Sequence, residues 1–197
     1  FEDVHYYVLD EFGYAKEAGT QNEDIPVNKM SMDLKFFQAA NIPEERIHTL
    51  RDDNVETFDQ AIQRAGGMDM VIMGIGTDGH FCGNHPGTFD DWKQGCHSID
   101  RYCTPQVNEL LEFLLKDDIH SDDVSRIPDH YLTMGPKTIM DAKHIVMIFS
   151  GEGKAETVRR AFFEPITMDF PVSIFQLHPH VRVLLDEAAA AKIRQFI

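Results

Sequence analysis

The sequence predicts an α/β fold with a mainly parallel sheet. Two observations carry this: four short apolar runs that are nearly continuous, and amphipathic helical patterns lying between them. Strands covered on both faces read as unbroken apolar runs, and strand–helix alternation is the chain order of a parallel sheet.

The first run, VHYYVLDE (4–11), ends in the carboxylate pair Asp10-Glu11. A helical pattern follows at 27–41 and stops at Asn41, ahead of Ile42-Pro43. The second pattern, 54–67, closes on Gly66-Gly67, the residues that most readily terminate a helix. It leads into the second strand, MDMVIMGIG (68–76), which breaks into the loop TDGHFCGNHPG. A third helix is predicted at 105–118, a third strand at 144–151 (HIVMIFSG) and a fourth helix at 154–164. The last strand is VRVLLDE (181–187), and DEAAAAKIRQFI predicts a terminal helix from its high propensity. No repeat, low-complexity segment or linker is visible, so residues 1–197 are read as a single domain.

Composition narrows the function classes. Eighteen Lys plus Arg against 33 Asp plus Glu give a formal net charge of −15, a field that repels nucleic-acid backbones and acidic membranes. No apolar stretch approaches the ~20 residues of a membrane span, and no signal peptide is visible in FEDVHYYVLDE. Three cysteines, Cys82, Cys96 and Cys103, are too few for a disulfide framework and fit a reducing compartment. A cytoplasmic location is therefore expected, with no membrane or nucleic-acid partner; assembly into a homo-oligomer is left open. Those thiols lie among His80, His85 and His97, but their spacings match no common zinc-binding pattern, and neither metal nor cofactor is expected.

In open α/β sheets ligands bind beyond the carboxyl ends of the strands. Three strand ends here carry chemistry: Asp10-Glu11, then Asp78 and His80, then the Gly151-x-Gly153-Lys154 turn. A carboxylate partly desolvated at a strand end, as expected for Asp10, suits proton removal beside a carbonyl. In GTDGH, Asp78-Gly79 is a turn by itself, yet a turn needs no histidines. An aspartate beside His80 can fix its tautomer, and His85 adds a second imidazole to the same loop. Lys154, where glycines close a strand and a helix begins, reads either as a phosphate anchor or as a solvated helix-start lysine. His178 and His180 in LHPH read as structural.

These residues resemble the glucosamine-6-phosphate deaminase / 6-phosphogluconolactonase family, and the match is collinear over nearly the whole chain. VLDEFGY is similar to that family's strand ending in Asp-Glu, and MGIGTDGHFCGNHPG to its G-x-G-x-D-G-H loop. YLTMGPKTIMDAKHIVMIFSGEGKAETV and PVSIFQLHPHVRVLLDE are similar to its late segments. The resemblance implies a Rossmann-like three-layer sandwich. No glycine- and Ser/Thr-rich turn that would seat a phosphate follows the first strand, so either the anion is held differently or an N-terminal portion is missing from this sequence. The resemblance also implies an aldose–ketose isomerase that deaminates a hexose 6-phosphate. Asp10 would move the proton between C1 and C2, and His80, steered by Asp78 and position 85, would open the ring. Lys154 would hold phosphate, with Glu11 and Gly79 in the substrate-binding set.

Two positions depart from the deaminase pattern. Position 85 is His where the pattern N-E-P has Glu, so no fixed negative charge supports the basicity of His80 from there. An arginine expected ahead of the P-x-x-x-L-T segment is replaced by LLKDDIHSDDVSRIPDHYLT, which offers Lys116 or Arg126. The alternatives are a lactone hydrolase, in which His80 activates water, and a sugar-phosphate-binding protein impaired in catalysis. Phe12 and QLHP lean toward the deaminase branch, and the DEAAAA tail toward the lactonase one.

Overall fold

The computed structural model describes residues 3–13, 26–119, 123–124 and 127–196. Its strands are β1 (Tyr6–Tyr7), β2 (Asp10–Gly13), β3 (Ile47–His48) and β4 (Met70–Gly74), then β5 (His97–Asp100), β6 (His130–Thr133), β7 (His144–Phe149) and β8 (Val181–Leu185). The α-helices are α1 (Val27–Met32), α2 (Val55–Arg64), α3 (Pro105–Ile119), α4 (Pro136–Met140) and α5 (Ala155–Phe163). None of the described helices is long and apolar enough to cross a membrane. The chain divides into two compact units, one of residues 1–58 and 96–134, the other of 59–95 and 135–197.

In the first unit β1 pairs in parallel with β3, while β2, β6 and β5 form an antiparallel sheet in that order. The first apolar run is thus two strands, where the sequence predicts one. The break falls at Leu9: the Val8 N–H donates to the His48 carbonyl, whereas the Leu9 carbonyl accepts from Met134 N–H. Asp10 and Glu11 therefore open β2 and do not end a strand, with Asp10 opposite Thr133 and Glu11 opposite Leu132. β5 and β6 escape the sequence reading because HSID and HYLT are too short and polar to show an apolar period. Phe12, Val27, Ile99, Val107, Leu111, Leu115, Ile127 and Tyr131 make one buried cluster of this unit. α1 is shorter than its pattern: it widens into a π-type turn at Asp33–Phe37.

The second unit holds the predicted parallel sheet, β4–β7–β8, with Val71 beside Ile145 and Ile145 beside Val181. Its strands are not covered on both faces. Val71, Met73, Ile145, Met147 and Phe149 are buried, while Met70 is 54% exposed, Ile72 58% and Ile148 48%. Continuous apolar sequence does not require burial of both faces; here the side chains of one face meet solvent. Gly66 and Gly67 follow α2 at positive φ, as the sequence predicts. α5 begins one residue after Lys154, on a short 3₁₀ turn at Glu152–Lys154.

The predicted terminal helix is a correction. Residues 187–196 form successive turns, with Ile193 N–H donating to the Ala190 carbonyl and Phe196 N–H to that of Ile193. Asp186 binds Ser150 Oγ and the N–H groups of Gly151 and Ala189. With Ala189 and Ile193 buried, tertiary anchoring overrides the alanine propensity. One-sided burial of the parallel sheet has a measurable consequence: Ile145→Ala should cost about 2–5 kcal/mol in denaturant unfolding, and Ile72→Ala under about 1 kcal/mol. Equal losses would show that the outer face is covered.

Candidate active site

The loop after β4 is built around glycines that the backbone demands. A Cβ on Gly76 would run into the His80 imidazole and the Asp78 carboxylate, because the loop folds back across residue 76. The Gly76 N–H donates to the His80 carbonyl at 2.9 Å, and the Gly79 N–H to the Gly76 carbonyl at 3.1 Å. Gly79 has φ +83°, and a Cβ there would meet the Phe170 ring. Its carbonyl accepts from Val172 N–H, Thr157 Oγ1 donates to the Thr77 carbonyl, and Lys154 Nζ donates to that of Ile75. Phe81, fully buried, packs edge-on against Phe175.

This frame presents one carboxylate to two imidazoles. Asp78 Oδ1 lies 2.6 Å from His80 Nδ1, and Oδ2 lies 3.1 Å from His85 Nδ1. The two rings lie close together, tilted by 32° with centroids 3.9 Å apart. The His80 N–H also donates to Asp78 Oδ1, closing an Asx turn. His80 and Asp78 are partly exposed, whereas the His85 side chain is 3% exposed. Partial burial would raise the Asp78 pKa, but hydrogen bonds from both histidines outweigh it and hold the carboxyl far below its usual range. Burial pushes the His85 pKa down, against the pull of Asp78. Near neutral pH the loop therefore holds an ionised carboxylate and a neutral His85. With Nδ1–H turned toward Asp78, His80 offers Nε2 as the proton acceptor.

Lys154 reaches the same loop through the Ile75 carbonyl and feels the Asp78 charge, while burial lowers its pKa. The structure thus brings Asp78, His80, His85 and Lys154 together in the second unit. His178 is a buried connector: its Nε2 meets the Ala142 carbonyl, and its Nδ1 accepts the His180 N–H. Arg126 lies outside the described residues, and Lys116 is exposed at the end of α3.

In the first unit Asp10 is held by a residue the sequence reading missed. Asn28 Nδ2 donates to Asp10 Oδ1 at 2.6 Å, to the Asp10 carbonyl at 2.8 Å and contacts the Tyr131 hydroxyl at 2.9 Å. Tyr131 is buried, and burial with the nearby Asp10 charge holds its phenol well above the ordinary range. An asparagine in the first turn of a helical pattern is only a weak signal, since its partner lies 18 residues away. Glu11, 2% exposed, spends its carboxylate on backbone: Oε1 accepts from the N–H groups of Phe12 and Asn28, and Oε2 from Lys29 N–H. It fastens the start of α1, and so Asn28, to β2.

Known proteins match this chain over nearly all its length. It is 32% identical over 201 residues to a glucosamine-6-phosphate deaminase of Rhodococcus jostii, covering 98% of this chain and 71% of that protein. A deaminase of the same name from an Arthrobacter species is 36% identical with the same coverage. The chain belongs to the glucosamine-6-phosphate deaminase family. No family model matches the chain. The solved structure of a monomeric glucosamine-6-phosphate deaminase superposes with a TM-score of 0.76 at 27% identity, over 95% of this chain and 74% of that one. A 6-phosphogluconolactonase from Trypanosoma cruzi superposes at 0.66 with 16% identity, over 98% of this chain and 74% of that one, and so shares the fold. The expected mixed α/β fold with mainly parallel sheets holds: among the described residues two of the three sheets are parallel.

Glu11 makes a pH prediction. Burial raises its pKa to about 7 from 4.5, against three backbone N–H groups that lower it. The folded state then binds more protons than the unfolded chain between about pH 4.5 and 7, so this group's stabilising contribution is lost as pH rises through that window. The stability of wild type relative to Glu11→Gln should fall by on the order of 3 kcal/mol between pH 4.5 and 7.5. Denaturant melts at both pH values measure it, and a pH-independent difference would refute it.

Proposed function

We propose that this protein deaminates glucosamine 6-phosphate, converting it with water to fructose 6-phosphate and ammonia by aldose–ketose isomerisation. Family membership supports the substrate class. The observation that carries the chemistry is the shared carboxylate: Asp78 orients His80 at 2.6 Å on a loop whose glycines and backbone bonds leave it little freedom.

His80 Nε2 would take the proton of the anomeric hydroxyl and return one to the ring oxygen, opening the pyranose. Asp78 would hold the tautomer and stabilise the imidazolium as it forms. His85, neutral and buried, would restrain Asp78 by its hydrogen bond and so temper the negative charge felt by His80. Asp10, oriented by Asn28, is assigned the proton transfer between C2 and C1 through an enolamine, after which water replaces the amine. Lys154 is assigned the phosphate, with the Gly79 turn beside it; Glu11 serves by holding α1 on β2. The three thiols and the acidic surface agree with a cytoplasmic enzyme of small molecules.

Ammonia release from glucosamine 6-phosphate, with product identity read by NMR, tests this reading. Wild type should turn over, and Asp10→Asn and His80→Ala should each lose about 10²–10⁴-fold in kcat. A silent wild type refutes the amino-sugar reading. Decay of a 6-phospho-sugar lactone that survives Asp10→Asn but not His80→Ala would mark a lactone hydrolase instead.

A further inference from the structure

We propose that Asp78, His80 and His85 also form a binding site for a divalent transition cation of the zinc class, and that the bound cation silences His80. Among the described residues, these three are the one group of His, Cys or carboxylate side chains whose ligand atoms lie within 4.8 Å of one another. Two imidazoles and a carboxylate are the ligand types such a cation takes. None of the cysteines near them in sequence joins the group.

The spacing is close to what a cation needs. Tetrahedral bonds of about 2.0–2.1 Å separate ligand atoms by roughly 3.3 Å. His80 Nδ1 lies 2.6 Å from Asp78 Oδ1 and His85 Nδ1 lies 3.1 Å from Oδ2, and one ligand atom from each residue can be chosen within 4.8 Å of the others, so outward shifts of the rings would admit the ion. A neutral imidazole lends Nδ1 by carrying its proton on Nε2, so neither ring has to lose its proton to the solvent. The partial exposure of Asp78 and His80 leaves an entry path.

A second observation concerns His85 itself. It is almost wholly buried, and its Nε2 is a buried polar atom with no hydrogen-bond partner among the described residues. An orphaned ring nitrogen is costly, so packing alone does not account for an imidazole there. What the imidazole supplies is its Nδ1 pole, aimed at the carboxylate that His80 also faces. A glutamate in that place would offer oxygen only; histidine makes the set nitrogen-rich and better matched to zinc than to magnesium or calcium.

Metal on Nδ1 would fix the His80 ring and withdraw electron density from Nε2, stopping proton carriage. That silencing half rests on the catalytic role proposed for His80; the binding half rests on geometry alone. Co²⁺ titration of the chelator-treated 197-residue chain, followed by visible d–d absorption, tests binding. One Co²⁺ per chain is expected, with affinity at least about 10-fold weaker in both His85→Gln and Asp78→Asn and unchanged in Cys82→Ser, circular dichroism confirming that each variant is folded. Absence of the band, or wild-type affinity in His85→Gln or in Asp78→Asn, overturns the site. Zn²⁺ should stop ammonia release and a chelator restore it; bound metal with undiminished turnover overturns the silencing half and leaves the deaminase reading standing. If wild type shows no turnover without metal, the deaminase reading fails, and the Co²⁺ titration still decides the site.

Discussion

One carboxylate shared between two imidazoles is the interaction on which the loop after β4 depends. Asp78 gives one oxygen to each ring, at 2.6 and 3.1 Å. Hydrogen bonds to a charged group are worth about 1.5–3 kcal/mol each, enough to offset the partial desolvation of the carboxylate and keep it ionised. The same bonds select the Nδ1–H tautomer of both rings. Without Asp78, a buried His85 would lose the partner that its Nδ1 meets, and His80 would lose its fixed orientation.

The arrangement is possible only because the backbone beneath it carries no side chain where it turns back. Gly76 lies against His80 and Asp78, and Gly79 turns at φ +83° under the Phe170 ring. Carbonyls of the loop are claimed by Lys154, Thr157 and Val172, so elements from distant parts of the chain clamp it. Such clamping lets a loop hold its side chains with the precision of a strand or helix. Lys154 serves twice in this view, as a tie to the loop and as a cation beside it.

A parallel logic operates in the first unit, by different means. Glu11 is buried with its carboxylate turned onto three backbone N–H groups, which fixes the start of α1. Asn28, one residue into that helix, then orients Asp10. Adjacent carboxylates thus have separate tasks: one holds the scaffold, the other remains partly exposed and oriented.

The sequence alone determined the parallel β4–β7–β8 sheet, because continuous runs of Val, Ile, Leu and Met admit little else when helical patterns separate them. It also marked Asp78, His80, His85 and Lys154, since turn chemistry has no use for imidazoles and the glycines around them mark tight backbone. Tertiary structure decided what pattern cannot encode. HSID and HYLT become strands only by pairing with each other, and HYLT with β2, a contact between segments over 100 residues apart. The alanine-rich terminus is held in turns because Asp186 and two buried side chains outweigh its helix propensity. The sharing of one carboxylate by two histidines likewise follows from where the folded loop puts their nitrogens. Local propensity is a property of neighbours in the chain; hydrogen bonds between remote groups exist only once the chain has closed around them.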